Sequence, residues 1–166
     1  MSYFFKLYSV FALLLVMSRF ESYGHTSSPH FDKEKLYSVL ARNDMDAINA
    51  LLTELQSSAI PEKNAYEGAL LMKKAGLAGK AKEKLNLFKS GRAKLEAAIK
   101  TEEANVEYHF LRLIIQEHAP KVVKYKSDLK NDAQLIRNSF KKLSPVVQQA
   151  IKDYSKNSII LKPSDL

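Results

Sequence analysis

From residue 33 onward the apolar positions recur at intervals of three and four, the period of a helix that buries one side. "KEKLYSVLAR" puts Leu36, Val39 and Leu40 on one face, and Asn43-Asp44 breaks it. "MDAINALLTEL" repeats the pattern with Ile48, Leu51, Leu52 and Leu55. Pro61 suits the first turn of a third helix, "PEKNAYEGALLMKKA", which Gly76 and Gly79 are expected to end. A fourth helix is expected from Leu85 to Lys100, with Leu85, Phe88, Leu95 and Ile99 as its stripe. Small residues there, Gly91, Ala97 and Ala98, would let another helix approach closely.

The stretch "EANVEYHFLRLIIQEHAP" forms the fifth, with Asn105 as its cap and a stop before Pro120. A sixth, "KSDLKNDAQLIRNSFKKL", is capped by Ser127, and Ser144-Pro145 opens a seventh. In the tail "NSIILKPSDL", Ile159, Ile160 and Leu161 are expected to pack back. No strand-like alternation of useful length is present. The pattern predicts an all-α domain over residues 33–156, built from six or seven antiparallel helices with short connections. It is arranged either as an array of hairpins or as a closed bundle.

The fifth helix is the most informative. With Val106 at zero and 100° per residue, Leu113, Phe110 and Ile114 lie at about 340°, 40° and 80°, and Leu111 and Ile115 at about 140° and 180°. Apolar residues cover more than half of its circumference, so it should be central and packed on several sides. Tyr108, Arg112, Gln116 and His109 form one polar stripe from about 200° to 300°. His118 lies opposite His109. Two ligands on one helix need a spacing of three or four, and these are nine apart, which argues against a metal site.

Before residue 33 the pattern changes. Lys6 precedes an apolar run, Leu7 to Met17, that Arg19 and Glu21 end. It is shorter than the ~20 residues a membrane span needs. It suits the ~7–15-residue apolar core of a secretory signal peptide. Residues 1–24 are therefore expected to be a signal peptide cleaved near Gly24/His25. Residues 25–32 should form a flexible mature N-terminus and 157–166 a C-terminal tail. The released protein would be periplasmic or extracellular, without stable membrane insertion.

Composition narrows the chemistry. The 166 residues contain no cysteine, which removes disulfides and thiolate catalysis. No nucleophile motif or phosphate-binding glycine loop occurs, so neither an enzyme nor a cofactor is expected. The net charge of +8 is unevenly spread. Residues 73–100 hold nine basic side chains against Glu83 and Glu96.

"GRAKLEAAIKTEEANVEYHFL" resembles the boundary between two tetratricopeptide repeats. Gly91, Leu95 and Ala98 follow that family's small, large, small spacing, and Asn105 and Glu107 open the next helix as its members do. Glu103 stands where the family usually has proline, and tryptophan is absent. The stretch from Ala65 to about Tyr125 also resembles a set of small exported bacterial proteins of unassigned function. The first resemblance implies a concave surface lined by the first helix of each hairpin, which grips extended peptides. Tyr108, His109, Arg112 and Gln116 are then the candidate partner-binding residues. The expected function is an exported, non-catalytic interaction or scaffold module that binds a protein or peptide, not nucleic acid. The alternative is electrostatic binding to an anionic envelope surface through Lys80, Lys82, Lys84, Lys89, Arg92 and Lys94.

Overall fold

The computed structural model describes residues 31–166, and the expected signal peptide and cleavage point lie outside them. The described residues are all-helical: α1 (Lys33–Ala41), α2 (Met45–Ser57), α3 (Lys63–Leu77), α4 (Ala81–Thr101), α5 (Val106–His118), α6 (Leu129–Ser139) and α7 (Pro145–Ser155). Single 3-10 turns follow α5 and α6, and another closes the tail. No described helix is long and apolar enough to cross a membrane.

Local chemistry explains most boundaries. Asp32 and Asp44 accept the backbone N–H of Lys35 and Ala47, satisfying groups that the first turns of α1 and α2 leave open. Asn105 does the same for Glu107 and Tyr108 at the start of α5. Ser144 and Pro145 open α7 at the expected place. Three boundaries differ from the sequence reading. Helix α4 begins a turn earlier, at Ala81, because "AKEK" consists of strong helix formers. Gly76 lies inside α3, which ends only at Leu77. Asp128, not Ser127, stands at the cap of α6, and the Ser127 hydroxyl donates to it at 2.6 Å.

Helices α3 and α4 form an antiparallel hairpin that meets backbone to backbone. A Cβ on Gly91 would lie 2.6 Å from the Gly68 carbonyl oxygen, and one on Gly68 would lie 2.7 Å from the Leu95 nitrogen. Of the small residues expected to admit a neighbour, Gly91 makes this contact, whereas Ala97 faces solvent.

Helix α5 separates two hydrophobic clusters. Its Tyr108, Leu111 and Ile115 join a core from α1 to α4 that includes Leu36, Leu51, Leu70 and Leu95. Its Phe110 and Leu113 join a smaller one with Ile136, Phe140, Val147, Ile151 and Leu161. The two apolar arcs of the wheel thus serve two different cores.

The described ends of the chain are tied down. Phe31 is buried and stacks on Tyr66 at 5.2 Å between ring centroids, and Asp32 caps α1. These two residues therefore belong to the folded domain and not to a flexible arm. In the tail, Leu161 is fully buried and Ile160 partly so, but Ile159 is 75% exposed. Arg137 holds the tail through Asp165 and the Ile160 carbonyl.

Candidate functional site: a closed polar layer and an open cationic cleft

The polar stripe of α5 is neither a groove floor nor a solvated face. Tyr108, Arg112 and Gln116 are buried and His109 is half-buried. Arg112 clasps Asp132 of α6 with two parallel bonds, Nε to Oδ2 at 2.8 Å and Nη2 to Oδ1 at 2.7 Å. Its Nη1 donates to Glu96 of α4 at 3.0 Å. Gln116 exchanges bonds with Asp128, giving its amide N–H to the carboxylate and accepting the Asp128 backbone N–H. The Tyr108 hydroxyl donates to Glu102. The expected partner-binding groove is thus filled by the chain itself. The physical reason is the acids of α6 and its cap, which supply the countercharges that a foreign peptide would otherwise bring.

His109 completes the layer. Its Nδ1 is 2.7 Å from Asp132 and its Nε2 is 2.9 Å from the Glu103 carbonyl oxygen. Both neighbours accept hydrogen bonds, so both ring nitrogens donate and the imidazolium is favoured. Its pKa is raised, chiefly by the bond to Asp132, against burial and the nearby Arg112 charge. His118 lies elsewhere, edge-on to Tyr154. Among the described residues no three His, Asp or Glu side chains converge as a metal site would require.

Two further acids, buried Glu107 and half-buried Glu117, hold internal networks that the sequence reading does not assign them. Glu107 accepts from Lys33 at 2.8 Å, Tyr37 at 2.9 Å and Tyr66 at 2.8 Å, which joins α1, α3 and α5. Glu117 accepts from Tyr154 at 2.6 Å, Ser158 at 2.7 Å and the Ile159 N–H at 2.6 Å, which pins the tail. Burial raises the Glu117 pKa, and these three donors overcome it, so the carboxyl titrates below its usual range. A signal for both existed. On the helical wheel Glu107 and Glu117 fall at about 100° and 20°, inside an apolar arc, where an acid needs partners.

All five described tyrosines, Tyr37, Tyr66, Tyr108, Tyr125 and Tyr154, have raised pKa values, first through burial and then through the carboxylates their hydroxyls meet. A raised folded value means the unfolded phenol ionises first. Stability is therefore complete below the ordinary phenol value of 10.0 and is lost as pH rises above it. The expected result is cooperative alkaline unfolding, with phenolate absorbance at about 295 nm rising together with the loss of helical CD. Phenolate appearing well before unfolding would contradict these bonds.

The basic block is placed differently from the stripe. Lys80, Lys82, Lys84 and Lys89 are exposed and make no ion pair among the described residues. Arg92 is exposed and lies over the Tyr125 ring at 4.7 Å. Lys94 is engaged by Glu67 at 2.7 Å. So the structure leaves four of the six candidates free and ties two.

Two open clefts meet at Lys73 and His118. One, of about 650 Å³, is lined by α1, α5 and α7 and carries Glu34 and Asp153 together with Lys73 and His118. The other, of about 750 Å³, lies between the end of α3, the start of α4, the end of α5 and the turn Lys121–Val123. Its lining includes Lys73, Lys84 and His118 but no carboxylate.

No known protein family matches the chain, and no curated protein or solved structure resembles it significantly.

Proposed function

We propose that this protein is an exported, non-catalytic binding module that docks on anionic lipid surfaces through the exposed lysines of α4. The observation that carries this reading is the contrast between the two polar surfaces. The donor groups of the α5 stripe have internal acceptors, whereas Lys80, Lys82, Lys84 and Lys89 are exposed and have none among the described residues. Clustered lysines near an anionic leaflet contribute about 1 kcal/mol each. The N-terminal apolar run supports export, and the close Gly68–Gly91 crossing supports the helical-hairpin packing that the repeat resemblance implies.

The test is co-sedimentation of the full chain with vesicles of phosphatidylcholine alone or mixed with phosphatidylglycerol. Retention should require phosphatidylglycerol and disappear at about 1 M salt, where the Debye length is about 3 Å. Replacing Lys80, Lys82 and Lys89 together by Gln should weaken retention about a hundredfold. Retention through the apolar N-terminal run alone would be insensitive to salt and equal on both vesicles. No retention on anionic vesicles at low salt, or none lost in the triple variant, overturns the reading.

A further inference from the structure

The carboxylate-free cleft has the composition of a ligand site. Its walls are apolar, with Met72, Phe88 and Ile115 among them, and its volume of about 750 Å³ falls in the range of small-molecule pockets. Three large apolar side chains are strongly exposed among the described residues, and two of them line this cleft: Leu85, 47% exposed, and Val122, 83% exposed. Burying such groups is favourable, so their exposure around one concavity marks a surface that an apolar ligand would cover.

Lys73 supplies the polar contact. It is half-buried and has no hydrogen-bond or ion-pair partner among the described residues. Burial alone perturbs it and lowers its pKa. Of the other half-buried cations, Lys33 is answered by Glu62 and Glu107 and Arg137 by Asp165, while Lys74 has no such partner among the described residues but does not line this cleft. An ammonium withdrawn from water without a countercharge favours an anion that arrives from outside. Lys84 lines the same cleft and adds to the positive potential. The neighbouring cleft, which Lys73 and His118 also line, carries Glu34 and Asp153 as well and so lacks this one-sided charge.

We propose that this cleft binds a single-chain carboxylate amphiphile of the fatty-acid class, its alkyl chain against Met72, Leu85, Phe88 and Ile115 and its head group at Lys73. One half-buried lysine matches one negative charge. A phosphate monoester would bring close to two and would call for further buried donors. The site shares Lys84 with the exposed face of α4 but not Lys80, Lys82 or Lys89, and this inference stands whether or not the protein docks on membranes.

The experiment is displacement of dansyl-undecanoate from the full chain, followed by its fluorescence. Dodecanoate, dodecanol, dodecyl phosphate and dodecyltrimethylammonium serve as competitors below their micelle concentrations. Dodecanoate should displace the probe at about tenfold lower concentration than dodecanol, the size of one charge-assisted contact. Dodecyltrimethylammonium should be the weakest. Lys73→Met, which keeps the length of the side chain, should bring dodecanoate and dodecanol within about twofold of each other. Leu85→Glu should abolish binding of the probe. The triple replacement of Lys80, Lys82 and Lys89 should leave displacement unchanged, so the fate of this site is read independently of vesicle retention. Absent probe emission, equal displacement by dodecanoate and dodecanol, tighter binding of dodecyl phosphate, or a preference that survives Lys73→Met would each overturn the proposal.

Discussion

Gly91→Ala is expected to destabilise the protein by about 1–2 kcal/mol, although alanine is the better helix former. The added methyl would stand 2.6 Å from the Gly68 carbonyl oxygen, 2.8 Å from Met72 Cγ and 2.9 Å from the Met72 nitrogen. Met72 Cγ can rotate away, but two of these three atoms are backbone. Relief requires α3 and α4 to separate, and that loosens the packing of Leu95 and Met72 in the larger core. Overpacking of this kind costs about 1–3 kcal/mol and sometimes more, and the helix-propensity gain of about 1 kcal/mol offsets part of it. Urea denaturation of the two proteins measures the difference. Gly76→Ala is the control. Nothing lies within 4 Å of a Cβ at that exposed helical position, so a gain of roughly 0.5 kcal/mol is expected. If Gly91→Ala were neutral or stabilising, the close helix crossing would be wrong.

Asp132→Ala should cost about 3–5 kcal/mol, the usual penalty for removing one partner of a buried ion pair. Asp132 is 1% exposed and is the meeting point of Arg112 and His109. Without it, Arg112 keeps Glu96 at 3.0 Å and Asp128 at 3.9 Å but loses its bidentate partner. Arg112→Ala should also destabilise, by a comparable amount, because it strands Asp132. If Arg112 gripped a foreign peptide, its loss would instead leave the unfolding midpoint unchanged. Denaturant unfolding of both single variants and the double variant gives the coupling energy. A double variant no less stable than either single one is expected, since the second removal strands nothing new. The His109 imidazolium should weaken in Asp132→Ala, which NMR titration of the ring would show as a lower pKa.

The arrangement of α5 explains why its periodicity was informative and its polar stripe was misleading. A wheel states which side chains of one helix share a face. It says nothing about what covers that face. The apolar arcs could be read because burial of apolar area is non-directional, and any neighbouring helix satisfies it. The polar stripe required particular partners, and these come from outside the helix: Asp132 twenty residues on, Asp128 from the cap of α6, and Glu96 sixteen residues back on α4. The same holds for Glu107, whose partners Lys33, Tyr37 and Tyr66 lie 74, 70 and 41 residues away.

The carboxylate-free cleft was equally hidden. Its walls come from α3, α4, α5 and the turn after Pro120. Lys73 was visible only as one of nine basic residues between 73 and 100. That it is half-buried and unpaired is a property of the assembled helices.

By itself, the sequence determined the helical class, most helix positions, the caps at Asn105 and Ser144 and the central place of α5. Each of these follows from periodicity and short-range chemistry within a few residues. Tertiary structure alone decided which polar surfaces stay open. It closed the Arg112 stripe with α6 and left the α4 lysines and Lys73 unanswered, because charge pairing depends on distances between segments far apart in the chain.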